Sequence, residues 1–296
     1  MIGFYLFLAL EKLLMLFPKK VRRTFFTGLA SLAYRLSKRY TKVVRQNLEF
    51  VYGSNLDEKF IEDVTRYSYK SLLLNFLYTL EGRYYSIDDI SKKVKFENLE
   101  IIKKVQEQKR PIIFVTAHYG AWELGAEMLS ALVEPIMIVY KSMNNKYFEN
   151  YLLSSRAKWN MDFAEKHGAA KEMVKRLRAK KAVAVLIDTN VNKNDGIEVE
   201  FLNHPTLQLK STAYLARKFD AALIPILIHA DKNDENYTIK VYDELIPPKT
   251  NNVENDILLS TQMQASWLSK EIQKDPRPWF WLHRRWKNDY PAIYKK

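Results

Sequence analysis

The chain has no cysteine. Disulfides, thiolate metal sites, iron-sulfur clusters and a cysteine acyl-enzyme are thereby excluded, so any acyl or phosphoryl chemistry has to run through oxygen or nitrogen. No GxGxxG and no P-loop motif follows any strand-like run, which leaves nucleotide binding without support, and no GxSxG is present to form a serine-hydrolase elbow. Nothing in the sequence asks for a metal or a cofactor. No apolar run reaches the ~20 uninterrupted residues of a comfortable membrane span. No linker, repeat or low-complexity stretch divides the 296 residues, and a hydrophobic content of 47% is ample for a core.

Acidic residues are outnumbered by basic ones, 34 to 47, for a formal net charge of +13. The excess is segregated. Residues 1–45 carry ten Lys or Arg against Glu11 alone, and the tail from Arg277 to Lys296 carries six against Asp289, so the long middle of the chain is about neutral. Most of the basic charge lies beside the one strongly apolar segment, a pattern that suits an anionic membrane surface better than a nucleic-acid groove. No nucleic-acid partner is expected.

That segment, Ile2 to Phe17, reads as an apolar helix interrupted by Glu11 and Lys12, an interfacial helix rather than a span. The basic cluster from Lys19 to Arg23 follows and would contact anionic lipid from the cytoplasmic side. No basic region precedes the apolar run and no small-residue cleavage site follows it, so a cleaved signal peptide is not expected. The expected organisation is a membrane-anchoring helix with its basic cluster at residues 1–23 and one domain at residues 24–296. Apolar spacing predicts further helices over Thr24 to Leu36, Val43 to Tyr52 and Asp57 to Leu80.

Past Tyr85 the pattern switches to alternating strands and helices. Strands are expected near Val94 to Phe96, over the five-residue run Ile112 to Thr116, and at Ile136 to Tyr140, Asp162, Ala182 to Ile187, Ile197 to Phe201, Leu223 to Ile228 and Tyr237 to Tyr242. Helices are expected at Leu99 to Gln106, Ala121 to Val133, Lys146 to Lys158, Ala169 to Lys180, Leu209 to Phe219 and Asp256 to Gln273. Such alternation implies an α/β fold with a central, mostly parallel sheet covered on both faces.

The stretch Pro111 to Leu124 is the most informative. A buried strand ends, a lone histidine, His118, follows, Gly120 permits a tight turn, and a helix begins at once with Glu123 in its first turn. His118 thus falls at the carboxyl end of a strand, where open α/β sheets place ligands. Along one continuous helix His118 and Glu123 would point ~140° apart, so they can meet only if the histidine precedes the helix. Other polar residues follow strands in the same way: Tyr140 and Lys141, Asp188 with Asn190, and His229.

The decamer Thr116-Ala117-His118-Tyr119-Gly120-Ala121-Trp122-Glu123-Leu124-Gly125 resembles the HxxxxE motif of the lipid A biosynthesis acyltransferases, relatives of the glycerophospholipid acyltransferases that carry HxxxxD. Further blocks resemble the family in order: Arg45-Gln46-Asn47-Leu48, Val139-Tyr140-Lys141 with Asn144-Asn145 and Arg156, Val185 to Asn190, Ala213 to Pro225, and Trp281-Leu282-His283-Arg284-Arg285-Trp286-Lys287. Lys141 departs from the arginine usual there, keeping the charge but not bidentate phosphate recognition. Leu202-Asn203-His204 stands where a glycine is usual.

The resemblance implies a glycerolipid-acyltransferase-like fold. The implied reaction moves a fatty acyl chain from an acyl carrier protein thioester to a hydroxyl of a phosphorylated, Kdo-bearing lipid A precursor, at the cytoplasmic face of the inner membrane and with no cofactor. In that reading His118 is the general base and Glu123 holds its ring and stabilises the imidazolium. Lys141, Arg156, Asp188, Arg284 and Arg285 would bind substrate. With no cysteine and no elbow, direct transfer through a ternary complex is expected. The alternatives are a glycerolipid acyltransferase with the same histidine chemistry, and a non-enzymatic basic protein of membrane surfaces or nucleic acid in which His118 is structural.

Overall fold

Apolar residues on both faces of nearly every central strand require cover on both sides, and the chain supplies it. The computed structural model describes residues 2–231 and 235–295, so Lys296 of the basic tail lies outside the described residues. The helices are α1 (Ile2–Met15), α2 (Lys19–Leu36), α3 (Lys38–Tyr52), α4 (Glu58–Gly82), α5 (Ile87–Ser91), α6 (Leu99–Glu107), α7 (Trp122–Leu132), α8 (Lys146–Ala157), α9 (Ala169–Arg178), α10 (Ser211–Phe219) and α11 (Val253–Lys274). The strands are β1 (Val94–Glu97), β2 (Ile112–Thr116), β3 (Ile136–Tyr140), β4 (Asp162–Glu165), β5 (Ala182–Leu186), β6 (Gly196–Phe201), β7 (His204–Leu209), β8 (Ala222–Ala230) and β9 (Tyr237–Val241).

Seven strands form one sheet in the order β1-β9-β8-β2-β5-β3-β4. Only β8 and β9 pair antiparallel, so the sheet is mixed and mostly parallel, as the alternation implied. Strand β2 lies at the centre between β5 and β8. Its side chains alternate between two cores: Ile113 and Val115 join α3, α11 and the tryptophans of the carboxyl-terminal segment, while Ile112 and Phe114 face α4, α6 and α7.

The expected strand at Ile197 to Phe201 forms, but outside this sheet. It pairs with β7 in a separate antiparallel hairpin, so Leu209, expected to open a helix, is the last residue of a strand. The physical cause is the two-residue turn Leu202-Asn203, in which both residues take the left-handed conformation (φ 50° and 66°) that matches strand twist in a hairpin. A leucine there carries no turn signal. Helix α5 also escaped the apolar pattern, being one short turn fixed by a Ser86-Asp89 capping box.

The amino-terminal helices pack on the rest of the fold. Phe4 and Phe7 of α1 meet Phe148 and Tyr151 of α8. Glu11, read from the sequence as an interruption of the apolar face, is buried and sits 3.6 Å from the Arg83 guanidinium. Within the basic cluster Arg22 turns inward rather than to lipid: it is buried, pairs with Glu81 at 2.7 Å and donates to Tyr85 Oη and the Phe17 carbonyl. The outer face keeps Leu6, Leu10, Leu13, Leu16, Phe25 and Leu32 exposed. No helix among the described residues is long and apolar enough to cross a membrane.

Candidate active site

Strand β2 ends at Thr116, and four residues later the chain turns on Gly120, whose φ of +61° and contact with β8 leave no room for a side chain. A Cβ there would lie 2.1 Å from the Ile228 carbonyl oxygen. The turn is then tied down from outside. Ser71 and Asn75 of α4 both donate to the Gly120 carbonyl, and the Asn75 side-chain oxygen accepts from the Glu123 amide. Gly120 N donates to the Pro278 carbonyl and Phe280 N to the His118 carbonyl, so the carboxyl-terminal segment clamps the other side. His118 therefore precedes α7, as the spacing argument required.

The ring it presents is held by Asp188, not by Glu123. Asp188, buried just past β5, accepts from the His118 backbone amide at 2.9 Å and from His118 Nδ1 at 3.0 Å. Trp279 Nε1 donates to the same carboxylate at 3.0 Å and fixes it. A carboxylate can only accept, so Nδ1 carries the proton and Nε2 is left as the basic nitrogen. Trp122 and Phe280 flank the ring, with centroids 5.5 Å and 5.9 Å away.

Glu123 is taken by a different partner. Arg156 of α8 grips it in a fork, Nε to Oε2 at 3.1 Å and Nη2 to Oε1 at 2.8 Å, with both side chains largely buried. This corrects the expected division of roles: the carboxylate on the ring comes from the neighbouring strand end, and the one in the helix's first turn pairs with a cation. Register explains it, because β5 lies beside β2 in parallel and brings its own carboxyl end next to the histidine. Arg156 is thereby placed in the site through Glu123.

The electrostatics follow. Burial pulls the His118 pKa down, but the charge and hydrogen bond of Asp188, with Glu123 further off, outweigh it and leave the value above 6.5. Burial pushes the Asp188 carboxyl up, and His118, both of its hydrogen bonds and Trp279 more than reverse this, so it stays ionised. One turn along α7 from Glu123, Glu127 has no hydrogen-bond partner for either oxygen. Burial first, and Glu123 second, raise its pKa well above the usual carboxylate range.

His118, Trp122, Glu123, Lys141 and Arg156 line one cavity of about 1110 Å³ whose lining is largely apolar, Ile136, Ile138, Met161 and Met173 included. This exceeds a usual small-molecule pocket and offers both charged and apolar walls to an amphipathic substrate. Lys141, exposed just after β3, is at the cavity with the charge expected of it.

Arg284 and Arg285 are elsewhere. Arg285 is fully buried, donates to the Leu207 carbonyl and Gln208 Oε1, and has its pKa lowered by burial to about 10. It is a core residue under the β6-β7 hairpin. Arg284 lies outside the cavity with its guanidinium 5.5 Å from the Tyr294 ring centre. What brought these arginines into view was the aromatic block around them, and the block does matter: Asn47 donates to the Trp281 and His283 carbonyls, and Asn190 donates to His283 Nε2 and the Arg284 carbonyl. Burial holds His283 neutral, at a pKa of about 4, so its Nε2 can accept.

A histidine whose ring is aligned by a buried carboxylate, with its other nitrogen left basic, is suited to general-base chemistry on a bound hydroxyl. Comparison with known proteins narrows this: the family model for bacterial lipid A biosynthesis acyltransferases matches residues 1–288, and the chain belongs to that family. It is 25% identical to a lipid A biosynthesis lauroyltransferase of Escherichia coli over 88% of this chain and 83% of that protein. A lipid A biosynthesis acyltransferase of Haemophilus influenzae is 24% identical over 98% and 93%. An E. coli lipid A biosynthesis palmitoleoyltransferase is 22% identical over 88% and 83%. Among solved structures, the 1-acyl-sn-glycerophosphate acyltransferase PlsC from Thermotoga maritima aligns with a TM-score of 0.40 and 12% identity, over 86% of this chain and 98% of that one. The protein is an O-acyltransferase.

Proposed function

We propose that the enzyme transfers a fatty acyl chain from an acyl carrier protein thioester to a hydroxyl of a Kdo-bearing lipid A precursor, at the cytoplasmic face of the inner membrane. The observation that carries the reading is that His118, aligned by Asp188, lines a large cavity with a mostly apolar lining. The acceptor hydroxyl attacks the thioester carbonyl as His118 Nε2 removes its proton, and the imidazolium so formed is stabilised by Asp188. When the tetrahedral intermediate collapses, the carbon-sulfur bond breaks and the imidazolium returns its proton to the departing thiolate. No covalent acyl-enzyme forms.

Glu123 and Arg156 form a fixed ion pair beside the base. Arg156 uses Nε and Nη2 on Glu123, which leaves Nη1 for a phosphate or carboxylate of the acceptor, and Lys141 contributes a second cation at the cavity. The exposed apolar residues of α1 and α2 supply a face for insertion at the bilayer surface.

Mass spectrometry of lipid A from cells with and without the gene tests the reading. One acyl chain fewer in the deletion, restored by the wild-type gene but not by His118→Ala, is the expected outcome. An unchanged lipid A accompanied by altered glycerophospholipid acyl composition would transfer the same site chemistry to a glycerolipid acceptor.

A further inference from the structure

The cavity at His118 is not confined to one face of the sheet. Ile138 and Val139 of β3 line it, and so do Ala184 and Val185 of β5, although neighbouring residues of a strand point to opposite faces. Helices on both faces contribute, α7 with Ala126 and Leu129 on one and α9 with Ala170 and Met173 on the other. Leu129 belongs to the core that faces α4 and α6, and Met173 to the core that joins α3 and α11. His118, Thr189 and Asn190, beyond the carboxyl ends of β2 and β5, also line it, whereas no residue of the edge strand β4 does. The cavity therefore bends around the carboxyl edge of the sheet, with a branch on each face and His118 at the bend.

The two branches differ in depth and in chemistry. On the α7 face β3 lines the cavity from its first residue, Ile136, to its last, Tyr140, which is roughly 13 Å of strand at ~3.3 Å per residue. Apart from Glu123, Glu127 and Arg156, that face contributes apolar walls, Leu129, Met161 and Ile226 among them. On the α9 face β3 and β5 contribute only Val139 and Val185, each next to the carboxyl end of its strand. This shorter branch reaches the surface beside Tyr214 of α10 and Val253 of α11, each 45% exposed. Asn192, Asn194 and Asp195 line it there and are exposed, and neither asparagine side chain has a hydrogen-bond partner among the described residues.

We propose that the two branches divide the donor thioester between them. The acyl tail lies in the α7 branch, and the carrier's arm, a pantetheine chain with two amide groups, enters through the α9 branch and brings the thioester carbonyl to His118 at the bend. This rests on the acyl-transfer reading above. A hydrocarbon tail is stabilised by leaving water for the long apolar branch, where the amides of the arm would go unpaired. The arm needs donors and acceptors and has to extend out to a protein, and the α9 branch supplies amide side chains and an opening at the surface. The acceptor keeps the approach past Lys141 and Arg156, along α8, on which α1 packs with its leucines exposed.

The test is steady-state transfer by the full-length protein in detergent, with one acceptor and three donors. Dodecanoyl-pantetheine carries the whole arm, dodecanoyl-N-acetylcysteamine keeps only the amide nearest the sulfur, and octanoyl-pantetheine shortens the tail instead. The wild type should prefer the first donor over the second by about tenfold or more in kcat/KM. Ala170→Phe, which narrows the α9 branch, should bring that ratio toward one through a higher KM for the pantetheine thioester. Ala126→Phe, which narrows the α7 branch, should keep the ratio and shift preference from dodecanoyl to octanoyl. A shift of chain-length preference by Ala170→Phe, or a higher KM for the acceptor in place of the donor, would overturn the assignment. Matching melting temperatures verify the fold of the variants, and the wild-type ratio decides without them. Equal use of the two dodecanoyl donors by the wild type overturns the division of the branches alone, whereas no transfer from any donor overturns the acyl-transfer reading and this proposal with it.

Discussion

In the proposed mechanism His118 works through the ring nitrogen that Asp188 does not hold. Replacing it by alanine should leave a folded protein whose acyl transfer falls by at least ~10²-fold in a thioester assay, the lower end of general-base contributions. Asp188→Asn gives the sharper test, because it separates alignment from charge. The base is competent only above its folded pKa, which Asp188 and then Glu123 hold above 6.5 against the effect of burial. Removing the Asp188 charge takes away the larger raising effect, so the acid limb of kcat/KM against pH should move to lower pH while the plateau drops ~10²-fold or more. A limb that stays in place would show that some other group titrates. Glu123→Gln should move the limb in the same direction by less. Arg156→Ala, which leaves a partly buried carboxylate without its partner, should impair turnover well beyond Arg284→Ala, since Arg284 lies outside the cavity.

At the scale of single elements, the β2-α7 turn admits no Cβ. Gly120→Ala would set an L-residue at positive φ and drive a methyl into the Ile228 carbonyl, so at least ~1–3 kcal/mol of stability should be lost, read as a lowered denaturant midpoint. Helices α1 and α2 make a different case. Deleting residues 1–23 would remove the proposed anchor but would also strip Arg22 from buried Glu81 and two phenylalanines from α8, so any release from the membrane would be confounded by unfolding. Leu6→Gln, Leu10→Gln and Leu13→Gln together touch only side chains more than half exposed. The triple variant should keep its melting temperature and shift to the soluble fraction after cell lysis; full retention with the membrane would move the docking face elsewhere.

Over the whole molecule, what the sequence made readable was periodicity, and what it hid was register. The central sheet, its long helices and the turn at His118 follow from alternation, apolar spacing and one glycine. Asp188 stood out as a polar residue at a strand end, yet its partner depended on β5 lying beside β2, which no local pattern specifies. Asn75 was invisible for the same reason: an asparagine in a helix has no feature to distinguish it until the turn it braces is in place. Arg285 was misassigned because arginine in a basic block reads as surface charge, whereas here it is buried over the Phe201 ring and bonded to Leu207 and Gln208 of the β6-β7 hairpin. The Leu202-Asn203 turn shows the converse, a backbone conformation imposed by the strands on either side.

The carboxyl-terminal clamp has a consequence for how the enzyme comes into being. Asp188 receives Trp279, the β2-α7 turn is bonded to Pro278 and Phe280, and Asn47 is tied to Trp281, His283 and Tyr294, so α3 and the carboxyl-terminal segment meet near His118. Synthesis proceeds from the amino terminus, and contacts across so many residues form late. A nascent chain can therefore fold its amino-terminal helices while His118 still lacks final alignment. That alignment waits until the segment carrying Trp279 and Phe280 has been made and has docked, so a chain cut off before it would hold an incomplete site.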